Sequence, residues 1–221
     1  RSFKGDINIK QDVGGFLDSM NNLKTADFGD WILKLQEYST HHEINTDLMS
    51  VPVKPQKAIK EMLDAAEDSI VVNDAGSHTT WVTLLQQIKK PHTSIFSGGF
   101  GPMGYALPAA VGASLAKPDR SVLVIVGDGG FQMTIQELAT VVQLDLPVTI
   151  CLINNNALAV IKQRQNMYYQ KTYEVELENP NFTKLAHSYC IDSVRLDSPG
   201  TVYPAVKRAL KLKRPYLIEI I

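Results

Sequence analysis

From Pro55 onward the chain alternates two kinds of apolar segment. Short runs rich in β-branched and aliphatic residues, at Ser69–Asn73, Thr93–Phe96, Val122–Val126, Val148–Asn154, Ser193–Leu196 and Tyr216–Ile221, read as strands. Between them Ala58–Ala66, Trp81–Ile88, Leu107–Ala116, Ile135–Leu144, Phe182–Ser188 and Val202–Leu210 read as helices. Val122–Val126 (VLVIV) and Ile150–Ile153 (ICLI) are apolar at every position. A strand needs that pattern when both its faces are buried, as in a parallel sheet covered by helices. The expected fold is α/β: a doubly wound, mostly parallel sheet of about six strands with helices on both faces.

Ahead of this core, Gly14–Leu23 carries a short amphipathic pattern in Phe16, Leu17, Met20 and Leu23. Ala26–Tyr38 sets Phe28, Trp31, Ile32 and Leu35 on one helical face, and His41–Gln56, broken by Pro52 and Pro55, reads as a connecting loop.

Composition narrows the function more than the fold. With 44% apolar and 20% charged residues and a formal net charge of -1, the chain has no overall basic field to draw nucleic acid or an anionic membrane. Any anion-binding groups must therefore be local. No apolar run reaches the length of a membrane span. The two cysteines, Cys151 and Cys190, show neither metal spacing nor a disulfide framework, so a reducing compartment, the cytoplasm, is expected.

In a doubly wound sheet, ligands bind at the carboxyl ends of strands. Four strand-to-helix junctions are unusual: Asn73-Asp74-Ala75-Gly76-Ser77-His78, the glycine-rich Ser97–Gly104, Gly127-Asp128-Gly129-Gly130-Phe131, and Asn154-Asn155-Asn156-Ala157. In the third, the glycines let the backbone approach a ligand closely, and the helix that follows aims free N–H groups at an anion such as phosphate. Asp128 sits inside that cradle. A carboxylate about 4 Å from a phosphate charge is repelled by roughly 4 kcal/mol at an effective dielectric near 20. A divalent cation between them reverses the sign. The fourth junction supplies neutral oxygen ligands one strand away, and magnesium prefers oxygen donors. Singly, Gly-Asp-Gly-Gly is a plain turn and Asn154–Asn156 a polar helix cap. Together they read as a metal-bridged diphosphate site.

This pattern resembles the thiamine diphosphate enzymes. Asp128, followed 27 positions later by Asn155 inside GDGG…NN, looks like their signature. The stretch from Gly127 to Tyr169 is similar to the large subunit of acetohydroxyacid (acetolactate) synthase, and it shares Phe131 and Leu146-Pro147-Val148 with pyruvate oxidases. The likeness runs from about Pro55 to Ile221, while Arg1–Leu23 resembles the end of the family's central domain.

The resemblance implies that residues 1–50 are the end of that central domain plus a helical linker, and 51–221 the diphosphate-binding domain. It implies thiamine diphosphate and Mg2+ as cofactors, with FAD in the full-length protein. Asp128, the side chain of Asn155 and the backbone carbonyl of Ala157 would ligate the metal. Ala75, Gly76, Ser77 and His78 fall where the family has a Gly-Gln-His segment on the diphosphate. Gly129 and Gly130 would donate backbone N–H groups to the same anion, with Gly127 beside them. Gly101-Pro102-Met103-Gly104 matches the family's Gly-Thr-Met-Gly, which makes Met103 the wedge that holds the cofactor bent, with Leu158 beside it. The implied activity is decarboxylation of pyruvate and transfer of the two-carbon unit to a second keto acid, a step of branched-chain amino acid biosynthesis. A pyruvate oxidase-like reaction is the alternative. A homodimer or higher assembly and a regulatory subunit are implied partners, without nucleic acid or membrane.

The sequence also departs from the family. Ala159 stands where a glycine is usual, Ser77 where glutamine is common, and Arg164 where many acetolactate synthases carry a tryptophan that shapes the acceptor pocket. These changes bear on substrate more than on cofactor. The glutamate that activates the cofactor belongs to an N-terminal pyrimidine-binding domain with no counterpart here, so no catalytic residue is expected among these 221 residues and negligible turnover from them alone. Lys162–Pro180, polar with interleaved tyrosines, is expected to be mobile without cofactor.

Two other readings compete. Gly99-Phe100-Gly101-Pro102-Met103-Gly104 fits the G-x-G-x-x-G dinucleotide fingerprint of nicotinamide-dependent oxidoreductases, although it leaves Asn154–Asn156 unexplained. Alternatively the domain is a non-catalytic assembly module, whose loop residues Phe100, Met103 and Leu158 serve a protein interface.

Overall fold

Successive residues of a strand face opposite sides of a sheet, and here that alternation divides each apolar run between two cores. Val122, Val124 and Val126 enter one core and Leu123 and Ile125 the other. The computed structural model describes residues 7–21, 27–41 and 43–221, and its contacts divide the chain into Arg1–Ile44 and Asn45–Ile221. Among the described residues no helix is long and apolar enough to cross a membrane.

The first unit holds α1 (Val13–Met20) and α2 (Gly29–His41). Asp12 caps α1 by accepting the Gly15 N–H at 3.2 Å. Both expected helices are present. Leu23 and Ala26, placed at their ends by the sequence pattern, lie outside the described residues.

The second unit runs α3 (Pro55–Ala65), β1 (Ile70–Asn73), α4 (Ser77–Leu85), β2 (Ser94–Phe96), α5 (Ala106–Ala116) and β3 (Val122–Gly127). There follow α6 (Asp128–Met133), a 3-10 turn (Ile135–Glu137), α7 (Leu138–Gln143), β4 (Val148–Ile153) and α8 (Ala159–Tyr169). The unit ends with α9 (Phe182–Ser188), β5 (Asp192–Leu196), α10 (Val202–Leu212) and β6 (Tyr216–Ile220). All six strands pair in parallel, in the order β2-β1-β3-β4-β6-β5.

Ile59 and Met62 of α3, Val82 of α4, and Val202 and Val206 of α10 cover one face of the sheet. Leu107, Phe131, Leu138 and Phe182, from α5, α6, α7 and α9, cover the other. Each fully buried aliphatic or aromatic side chain contributes about 2 kcal/mol, so this two-sided packing is what selects the fold.

Three expectations need correction. The helix expected from Trp81 begins at Ser77, because Gly76 is extended and releases the chain into helix at once. The helix expected over Ile135–Leu144 is a 3-10 turn followed by α7, and α6 precedes it from Asp128 itself. The polar stretch after the fourth junction contains a further helix, α8, that buries none of its residues. Beyond α8 the chain returns to the fourth junction. Leu158 donates its N–H to Val175 and Leu177 donates to Asn156, both at 2.8 Å, around an antiparallel bridge between Ala157 and Glu176.

Candidate functional site

The strand order leaves β2 and β3 on opposite sides of β1, the arrangement that opens a crevice at the strand ends. A cavity of about 430 Å3 lies there. Ala75, Gly76, Ser77 and His78 reach it from β1, and Gly101 and Met103 from the loop after β2. Gly127, Asp128, Gly129 and Gly130 reach it from β3, and Asn155, Ala157 and Leu158 from the loop after β4. Every residue expected at the site therefore lines one cavity, with Val160 and Arg164 of α8 on the same wall.

Two glycines leave little room for a side chain. A Cβ on Gly129 would lie 2.7 Å from Leu158 Cδ2 and 3.1 Å from Met103 Cε. A Cβ on Gly130 would lie 2.6 Å from Asp74 Oδ2. Met103 and Leu158 thus close over the Gly129 backbone. That inward packing argues against their serving an outer protein surface.

Asp74 was not anticipated. It is 1% exposed, and its carboxylate accepts the N–H groups of Ala75 at 2.8 Å, Gly104 at 3.0 Å and Tyr105 at 3.2 Å. Burial raises its carboxyl above the usual carboxylate range even though the three N–H groups pull the other way. This geometry also disposes of the dinucleotide fingerprint. The N–H of the last glycine, Gly104, and that of Tyr105 are both given to Asp74, so neither is free for a pyrophosphate.

His78 is buried in the first turn of α4. Burial lowers its pKa to about 4, against a hydrogen bond to the Asp74 backbone that raises it, so the ring is neutral at pH 7. Its Nε2 has no partner. A buried, unpaired nitrogen on a cavity wall fits a hydrogen-bonding ligand, because leaving it unmet costs about 1–3 kcal/mol.

The donor set for a cation is all oxygen. Asp128 is 3% exposed; its Oδ1 accepts the Gly129 N–H at 2.9 Å and its Oδ2 accepts Asn179 Nδ2 at 2.7 Å. Gly129, expected to donate to the anion, spends its N–H on Asp128. Gly130, in the first turn of α6, has no acceptor within the helix. Of the three asparagines, Asn155 alone lines the cavity, and its Oδ1 accepts the Ala157 N–H at 3.2 Å. Asn154 is buried and donates to Glu219 Oε1 at 2.7 Å. Among the described residues no three His, Cys, Asp or Glu side chains gather into a cage. One carboxylate, one amide and one carbonyl suit a magnesium ion that completes its shell with phosphate oxygens and water. The residues present fit both groups.

Asn179, like Asp74, escaped the sequence reading. Its partners, Asp128, Asn154 and Asn156, lie 23 to 51 residues away, and no local spacing signals them.

Residues 74–220 match the family described as thiamine pyrophosphate enzyme, C-terminal TPP binding domain. The whole chain is 35% identical to the probable acetolactate synthase large subunit of Methanocaldococcus jannaschii, of which it covers 40%. Over 99% of its length it is 37% identical to the acetolactate synthase large subunit of Lactococcus lactis, covering 39% of that protein. It is also 37% identical, over 76% of its length, to the mitochondrial acetolactate synthase catalytic subunit of Saccharomyces cerevisiae, covering 25% of it. The chain thus spans less than half the length of these relatives. Since the family match takes in the cavity from Ala75 to Arg164, the chain belongs to the thiamine pyrophosphate enzymes and contains their C-terminal TPP-binding domain.

Proposed function

We propose that this chain is the diphosphate- and metal-binding part of an acetolactate synthase. Such an enzyme removes carbon dioxide from pyruvate and passes the two-carbon unit to a second 2-keto acid, in branched-chain amino acid biosynthesis. The observation that carries the reading is the convergence of four strand ends on one cavity that joins Asp128 and Asn155 to a side-chain-free glycine surface. Similarity to acetolactate synthase large subunits supports this reaction.

In this reading Asp128, the Asn155 side chain and the Ala157 carbonyl hold Mg2+, which reverses the repulsion between Asp128 and a diphosphate. Gly130 presents its N–H to the diphosphate, Gly127 and Gly129 let it approach, and the Ala75–His78 segment lies against it. Met103 and Leu158, which close over the Gly129 backbone, would pack against the cofactor. Thiamine diphosphate supplies the decarboxylation and carbon-transfer chemistry once bound. The chain's own residues bind it, orient it and shape the space beside it. Val160 and Arg164 face the region assigned to the acceptor, where a guanidinium suits a keto-acid carboxylate.

For the full-length protein the proposal adds an activating glutamate from a pyrimidine-binding domain, FAD in a central domain, a homodimer or larger assembly, and a regulatory subunit. The proposed compartment is the cytoplasm, where the free Cys151 and Cys190 would stay reduced.

A keto-acid screen on the intact polypeptide, with thiamine diphosphate and Mg2+, tests the reading. Acetolactate should form from pyruvate and be strongly reduced in Asp128→Ala. Oxidation of pyruvate without acetolactate, or unchanged turnover in that variant, contradicts it.

A further inference from the structure

The side chain of Asn179 sits where four other polar side chains meet. Its Nδ2 lies 2.7 Å from Asp128 Oδ2, 2.8 Å from Asn154 Oδ1 and 3.2 Å from Asn156 Oδ1. Its Oδ1 accepts Gln132 Nε2 at 2.8 Å. Reversing the amide would turn its oxygen toward three other oxygens, so the surroundings select one orientation. Asn154 is anchored in turn, since its own Nδ2 donates to Glu219, which is 1% exposed. The result is a chain of hydrogen bonds from a buried strand residue, through two amides, to the carboxylate of Asp128.

That carboxylate stands on the first residue of a six-residue helix. The Gly129 N–H fixes only one of its oxygens. Asn179 fixes the other, and each oxygen keeps a further lone pair for a cation. The backbone leading to Asn179 braces the rest of the donor set. The hydrogen bonds from Leu158 to Val175 and from Leu177 to Asn156 flank Ala157 on both sides.

We propose that Asn179 is a positioning residue of the metal site: it makes no contact with the cation, but holds the Asp128 carboxylate in the orientation that grips it and ties the 175–179 strap to the site. The inference rests on the metal-binding reading above. A partner of this kind alters metal affinity when removed, typically about 10- to 100-fold.

The test is Mn2+ binding to the intact polypeptide, followed by electron paramagnetic resonance in the presence of thiamine diphosphate. Asn179→Ala and the near-isosteric Asn179→Leu should each raise the Mn2+ Kd at least tenfold. The activation constant for Mg2+ should rise in parallel, while kcat at saturating metal changes little. Gln165→Ala is the control for a merely structural strap, because Gln165 bonds the Tyr173 backbone at 3.2 and 2.8 Å and has no bond to Asp128. It should raise the Kd less than threefold. The inference is overturned if both Asn179 variants stay below a tenfold change, or if Gln165→Ala loses as much as they do. Asp128→Ala separates the two layers. If it abolishes Mn2+ binding and the Asn179 variants do not weaken it, only this inference falls; if the unaltered polypeptide binds no Mn2+, the metal site falls with it.

Discussion

The carboxylate of Asp74 accepts the N–H of Gly104, 30 residues further along the chain, at 3.0 Å. The same carboxylate lies against Gly130, where a Cβ would come within 2.6 Å of it. One buried side chain therefore ties the loops after β1 and β2 together and packs against the loop after β3, beneath the cavity. Asp74→Ala leaves three N–H groups without their acceptor and is expected to cost about 2–4 kcal/mol. Urea denaturation measures this, and a loss below about 1 kcal/mol contradicts the assignment.

Gly130→Ala and Gly129→Ala should fail in different ways. The Cβ at 130 meets a carboxylate already fixed by three N–H groups, so about 1–3 kcal/mol of stability should be lost. The Cβ at 129 meets the far ends of Leu158 and Met103, which can rotate away. Its stability cost should stay below about 1 kcal/mol, while thiamine diphosphate affinity falls at least tenfold. Denaturation and cofactor titration on the same pair decide it. Equal losses of stability would count against the geometry.

His78 gives the cofactor-free protein an acid-sensitive term. Its pKa falls from 6.5 to about 4 on folding because the ring is buried. Between those values the unfolded chain binds the extra proton, so stability rises with pH across the window and is lost as pH falls from 6.5 toward 4. The shift corresponds to about 3 kcal/mol. Urea denaturation at pH 4 and pH 7 should show a smaller difference in His78→Gln than in the unaltered protein. An identical pH dependence would exclude His78 as the source.

The strap after α8 is expected to be ordered at its far end without cofactor, although its polarity suggests mobility throughout. At that end Val175 accepts the Leu158 N–H and Leu177 donates to Asn156, whereas Tyr173, nearer α8, is 75% exposed. Hydrogen exchange should show the Leu158 and Leu177 amides protected in the cofactor-free protein. Complete exchange of both at the earliest time point would restore the mobile reading.

How much of this was legible in the sequence depended on whether a signal was local. The central strands β3 and β4 were legible because double burial makes them apolar at almost every position, and across the sheet only strand ends moved. Ser69, Thr93, Asn154 and Ile221 fall just outside the strands expected to hold them, and Asp192 extends another. Helix α8 was not legible because it buries no residue and so carries no apolar stripe. The glycine and asparagine junctions were legible because their chemistry is contained within a few consecutive residues. Asp74 and Asn179 have partners 30 to 51 residues away that are meaningful only once the strands are in order.

In the proposed site Asp128 and Asn155 serve one cation that carries a diphosphate. Calorimetric titration of thiamine diphosphate into the intact polypeptide, with and without Mg2+, tests it most directly. Binding should require Mg2+ and be lost in Asp128→Ala. Equally tight binding without the metal, or an unaltered isotherm in that variant, would contradict it.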